Sequence, residues 1–114
     1  MTVKILIERR FKALPVQEVF SIFDELRVNA LRQKGYISGE TLLNSEDKRE
    51  MVVISTWSDF DDFNEWSNSP KRKEIENKLT PYMERLPTIC SFISGSDAID
   101  EMFGKIIHDS EVAT

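Results

Sequence analysis

The chain has 114 residues, 40% hydrophobic and 31% charged, with a net charge of −5. That length suits one domain with one core, and the acidic balance speaks against a nucleic-acid partner, whose phosphates demand a basic surface. One cysteine allows no intramolecular disulfide, Glu8, Arg9 and Arg10 interrupt any signal peptide, and no apolar run reaches the ~20 residues of a membrane span, so a cytoplasmic protein without membrane contact is expected.

Val3, Ile5 and Ile7 alternate with Lys4, Leu6 and Glu8, which predicts a strand over residues 3–11. Pro15 suits the first position of a helix, where its missing N–H has no partner to lose. Val16, Val19, Phe20, Phe23, Leu26, Ala30 and Leu31 then recur at helical spacing, and Gly35 suits the C′ position. Tyr36–Leu43 and Met51–Trp57 read as two strands joined by the polar turn NSEDKRE at 44–50. Ser58 is placed to cap the next helix, with Asp61 completing a capping-box-like pair and Asp59, Asp61 and Asp62 favouring the positive end of the helix dipole.

Phe60, Phe63 and Trp66 share one side of that helix; Trp66 either fills the core or walls a ligand cleft. Ser67-Asn68-Ser69-Pro70 breaks the chain, and Ser69 caps a further helix over 70–79 with Pro70 at its first position. Lys71-Arg72-Lys73, followed by Glu74 and Glu76, reads as a solvated face with local charge pairs. Thr80-Pro81 ends the helix, and residues 88–94 form a last strand in which Cys90 is expected as a buried thiol. The order strand, helix, strand, strand, helix, strand predicts an α+β sandwich, ferredoxin-like βαββαβ, with helices on one face of a four-stranded antiparallel sheet.

Both alternating sets of the strands hold apolar side chains: Met51 and Val53 against Val52 and Ile54, Ile89 and Ile93 against Cys90 and Phe92. A sheet with one wet face shows cleaner alternation, so a second subunit is expected over the face the helices leave free. Residues 1–95 make the domain. The extension 96–114 carries Ala98, Ile99, Met102, Phe103, Ile106 and Ile107 at helical spacing, with Asp97 as cap. It predicts a short amphipathic helix, docked on the body or the partner, and a flexible end. A lone His108 in that tail and a lone Cys90 make neither a zinc site nor a persuasive nucleophilic pair, and no GxGxxG, GxxxxGK[ST] or HExxH is present.

Over residues 3–94, the opening VKILIERRF, the hairpin around GYISGETLL and MVVISTW, and above all STWSDFDDFNEWSNSP resemble the antibiotic biosynthesis monooxygenase family. The resemblance implies small ferredoxin-like subunits paired as a dimeric α/β barrel, each with a cleft between helices and sheet. The family holds cofactor-free monooxygenases of polycyclic phenols and quinols, haem-degrading enzymes, and members of no known activity. By resemblance Trp66 corresponds to the cleft tryptophan of the haem-degrading branch. That branch's first-strand Asn falls at Arg9 and its iron-ligating His at Glu76, which weighs against haem degradation.

Arg9 belongs to the otherwise apolar set Val3, Ile5, Ile7 and Phe11, so it needs a carboxylate, an exposed strand end or a wet cavity. The functional alternative is an anion clamp that stabilises a phenolate. The expected site is therefore Arg9 and Trp66 as catalytic residues, with Tyr36, Phe63 and Tyr82 binding a small aromatic substrate. No flavin or metal motif is visible, so no cofactor is expected and the electrons come from an electron-rich phenol or quinol. The alternative is a non-catalytic ligand-binding or interaction protein on the same scaffold.

Overall fold

The computed structural model describes residues 1–104. Its elements run β1 (Val3–Arg10), α1 (Gln17–Leu31), β2 (Tyr36–Leu43), β3 (Glu50–Trp57), α2 (Phe60–Ser67), α3 (Pro70–Leu79), a 3-10 turn (Thr80–Tyr82), β4 (Thr88–Ile93) and α4 (Gly95–Phe103). The sheet order is β2-β3-β1-β4 and every neighbour is antiparallel. This is the βαββαβ ferredoxin-like arrangement.

The register of β1 against β3 decides what the helices cover. Val3 faces Trp57, Ile5 faces Ser55 and Arg9 faces Met51. This set is buried under the helices, and Val19 and Leu26 of α1, Phe63 and Trp66 of α2, and Ile75 and Leu79 of α3 complete the core. Each large apolar side chain buried there contributes about 1.5–3 kcal/mol before entropy is subtracted. The opposite set faces away: Leu6, Val52 and Ile54 are half-buried, while Leu42, Cys90 and Phe92 are exposed.

Several local expectations need correction. The first helix begins at Gln17; Val16 is its N-cap, in extended conformation and without a side-chain acceptor, so Pro15 lies one residue before the cap. Its buried stripe is narrow: Leu31 and Phe20 are exposed. Gly35 has φ 86° but sits three residues beyond the C-cap Arg32, in the turn into β2, where a side chain would collide with Asp62. Asp59, not Ser58, caps α2, accepting from the Asp61 N–H at 2.8 Å; Ser58 instead donates to Asp62 at 3.0 Å. The helix starts one residue later than the capping box requires, which brings the Asp59 carboxylate to the second helical N–H.

Ser69 caps α3, accepting from the Arg72 N–H at 3.2 Å, with Pro70 in the first turn. Cys90 is exposed, because its partner in register is Leu6, on the face away from the helices. The tail does form a helix, capped by Ser94 rather than Asp97. Met102 and Phe103 are 71% and 57% exposed, so the subunit's own body does not cover them. Ile106, Ile107 and His108 lie outside the described residues.

Candidate functional site

A cavity of about 320 Å³ lies between the sheet and the three central helices. Ile7 and Arg9 of β1 and Val53, Ser55 and Trp57 of β3 form its floor. Phe23, Leu26 and Ala30 of α1 and Phe63 and Trp66 of α2 wall it, Arg72 and Glu76 of α3 close one side, and Tyr36, Gly39 and Thr41 of the edge strand β2 line another. Arg27 and Glu40, both exposed, stand at the rim. Of the five residues singled out by sequence, Arg9, Trp66, Tyr36 and Phe63 come together here. Tyr82 does not line this cavity: it sits on the 3-10 turn against the core, its carbonyl accepting from Lys12 N–H at 2.9 Å.

Trp66 is 5% exposed and lines the cavity, so it is core filling and cavity wall at once. Trp57, 1% exposed, donates its indole N–H to Ser55 Oγ at 3.0 Å, meets Tyr36 edge-on at 5.3 Å and packs against Phe63 at 5.7 Å. The result is a rigid aromatic corner whose faces and edges suit a planar ring.

The polar side is a charge cluster. Arg9, 3% exposed, donates through Nη2 to Glu76 Oε1, and Arg72 Nη2 reaches the same oxygen at 3.2 Å. Arg72 also reaches Ser67 Oγ at 3.4 Å, and the Arg9 guanidinium lies 5.0 Å from the Phe23 ring centroid. Burial lowers the proton affinity of Arg9; Glu76 opposes this and the charge of Arg72 adds to it. Burial likewise lowers that of Arg72, against Glu76. Guanidinium remains charged through such shifts, so one carboxylate between two cations leaves one net positive charge beside the cavity. Arg9 Nε is buried without a hydrogen-bond partner among the described residues. Across the cavity, burial raises the Tyr36 phenol, with Arg27 opposing, so its hydroxyl is a neutral donor at pH 7.

Arg72 is a correction to the sequence reading, which placed the whole basic cluster on a solvated face. Lys71 and Lys73 are exposed, but Arg72 is 7% exposed. The overlooked signal is its spacing: 72, 75 and 79 form one helical stripe, so Arg72 shares the inner face of α3 with Ile75 and Leu79. The two positions that depart from the haem-degrading pattern, Arg9 and Glu76, are partners of each other. Among the described residues no His, Cys, Asp and Glu cluster is arranged to hold a metal ion, and no helix is long and apolar enough to cross a membrane.

Solved structures share this fold. A conserved protein from Methanosarcina mazei Go1 superposes with a TM-score of 0.74 at 18% identity, covering 81% of this chain and 91% of its own. SnoaB, a cofactor-independent oxygenase from Streptomyces nogalater, gives 0.73 at 19% identity, with 82% and 92% covered. Rv0793 from Mycobacterium tuberculosis gives 0.72 at 11% identity, with 82% and 95% covered. No curated protein matches the sequence. The family model for antibiotic biosynthesis monooxygenase matches residues 2–78, which span β1 through nearly all of α3 and hold every cavity-lining side chain described above, and the chain belongs to that family.

Proposed function

We propose that this protein is a cofactor-independent monooxygenase that oxidises a small electron-rich phenol or quinol in the cavity between sheet and helices. The observation that carries the reading is the Arg9–Glu76–Arg72 cluster beside an aromatic-walled cavity of about 320 Å³. A cavity of this size falls at the lower end of the ~300–1,000 Å³ of small-molecule sites. Its net positive charge, set in a low-dielectric surround, favours a phenolate over the phenol and so lowers the phenol's pKa. The phenolate is the electron-rich form that can reduce dioxygen.

The reaction balances without an external reductant. A phenol with a free para position combines with one O₂ to give a para-quinone and one water. One oxygen atom enters the ring; the other leaves with the hydrogens of the hydroxyl and of the attacked carbon. All four electrons that reduce O₂ come from the substrate. Arg9 and Arg72 hold the oxyanion by their field, and Trp66, Trp57 and Phe63 orient the ring. Tyr36 donates a hydrogen bond from the β2 side.

The protein works as a cytoplasmic homodimer in this reading. Leu6, Leu42, Val52, Ile54 and Phe92 form an apolar face that the helices leave uncovered. A second copy laid on that face suits an obligate interface, which commonly buries on the order of 2,000 Å² or more.

The test uses 1-naphthol and ¹⁸O₂. The expected product is 1,4-naphthoquinone with one heavy oxygen, found by mass spectrometry; Arg9→Ala reduces turnover and Trp66→Phe mainly raises KM. Saturable naphthol binding with no oxygen consumption supports the second reading, a ligand-binding protein on this scaffold. Absence of both binding and turnover sinks the cavity as a site for phenols. Haem degradation is the least supported reading, because a Glu76 carboxylate engaged with two guanidiniums stands where that branch has a ligating imidazole.

A further inference from the structure

The edge strand β2 carries a pair of residues that the charge cluster does not explain. Tyr36 and Gly39 both line the cavity. The Tyr36 ring is held edge-on to Trp57, with an interplanar angle of 89°, and its hydroxyl reaches along the strand to Gly39. The backbone at Gly39 does not call for glycine: the positive φ values among the described glycines belong to Gly35 and Gly104. What requires glycine is the tyrosine. A Cβ built at residue 39 falls inside van der Waals contact of the Tyr36 hydroxyl, 3.4 Å from Cζ and 3.5 Å from the Ile54 carbonyl oxygen.

We infer that Gly39 is a specificity-determining position, which keeps the Tyr36 ring low along β2 and thereby sets how wide an aromatic ligand the cavity takes. Gly39 and Ser55 are partners in register, on the face that looks toward the helices. A methyl at 39 thus projects into the cavity side of the sheet, under the tyrosine hydroxyl. Trp57 packs edge-on against the ring from the β3 side, and raising the hydroxyl off the sheet carries it into the space a ligand needs. A lift of about 1 Å suffices to restore contact distance, and it narrows a cavity that has little volume to spare for a bicyclic ring. Gly39 is a positioning residue, since it acts through Tyr36. The inference rests on the reading of the cavity as the ligand site.

Removing the hydroxyl removes the collision, because the remaining close carbon, Cζ, is already at 3.4 Å. Four proteins decide the matter: wild type, Gly39→Ala, Tyr36→Phe and the double variant. Affinities for phenol and 1-naphthol are measured by titration calorimetry, with melting curves to confirm folding. Gly39→Ala is expected to weaken 1-naphthol by roughly tenfold or more and phenol by less than about threefold, and the double variant to return within about threefold of Tyr36→Phe. Unchanged naphthol affinity in Gly39→Ala overturns the inference while leaving the cavity reading intact. A double variant as weak as Gly39→Ala also overturns it, since the methyl then acts through the backbone and not through Tyr36. A wild-type protein that binds neither probe overturns the cavity reading and this inference together.

Discussion

Replacing Glu76 by Gln tests the physical basis of the site without emptying space. The side chain keeps its volume and one carbonyl acceptor but loses the charge that Arg9 and Arg72 share. Arg9 and Arg72 are 3% and 7% exposed, so neither can turn its guanidinium out to water without leaving the packed layer. At an effective dielectric near 20, one attraction over the 3.2 Å between Arg72 and Glu76 is worth roughly 5 kcal/mol, partly offset by desolvation. Breaking a buried pair by removing one partner costs about 3–5 kcal/mol, and here two cations are left facing each other. For a domain of this size 1 kcal/mol moves Tm by roughly 4–6 °C, so a fall of about 12–30 °C is expected. The assay is paired calorimetry and urea unfolding of wild type, Glu76→Gln and the Arg9→Met/Glu76→Met variant. The apolar double exchange should recover part of the loss, since it removes the Arg9–Glu76 pair outright and leaves only Arg72 without its carboxylate. A Glu76→Gln protein that melts within about 3 °C of wild type would show that the two guanidiniums are solvated in solution, and the argument for a focused positive field at the cavity would fail.

Phe92→Asp, placed on the uncovered sheet face, should shift the proposed dimer to monomers by light scattering; a wild type that is monomeric at micromolar concentration removes the proposal. Ser69→Ala deletes the acceptor for the Arg72 N–H at the start of α3 and should cost about 1 kcal/mol in urea unfolding, while Ser58→Ala, which removes no cap, should cost less. Hydrogen bonds from Arg49 hold the Asp47 carboxyl well below its ordinary range, with Arg10 adding to the effect. A carboxyl depressed in the folded state contributes stability that is present above its unfolded pKa near 4 and lost as pH falls toward the folded value. Asp47→Asn should therefore show a smaller drop in Tm between pH 6 and pH 3 than wild type, and an equal drop would contradict the reading.

Much of this architecture is written in local pattern. The alternation from Val3 to Ile7, the polar turn between Leu43 and Met51, and Ser69-Pro70 at a helix start each follow from short-range geometry that neighbouring residues settle among themselves. The family resemblance too lies in contiguous stretches. The sequence pattern also placed Arg9 on an apolar face, because period-two alternation leaves no freedom in that assignment.

Long-range contacts decided the rest. Arg9 and Glu76 are 67 residues apart, and nothing local announces that α3 will lay Glu76 and Arg72 over β1. The same ambiguity hid Arg72: a charged run on a short helix looks solvated until the packing direction of Ile75 and Leu79 fixes which side turns inward. Cys90 went the other way. Its alternation with Thr88 and Phe92 is clear, but which alternate set faces the helices depends on its register with Leu6. Gly39 reads as an ordinary strand glycine, and only the tyrosine folded back along β2 gives its missing side chain a purpose. Periodicity determines which residues share a face; only the packed chain determines what that face meets, because the burial and electrostatic terms that make a site come from residues far apart in sequence.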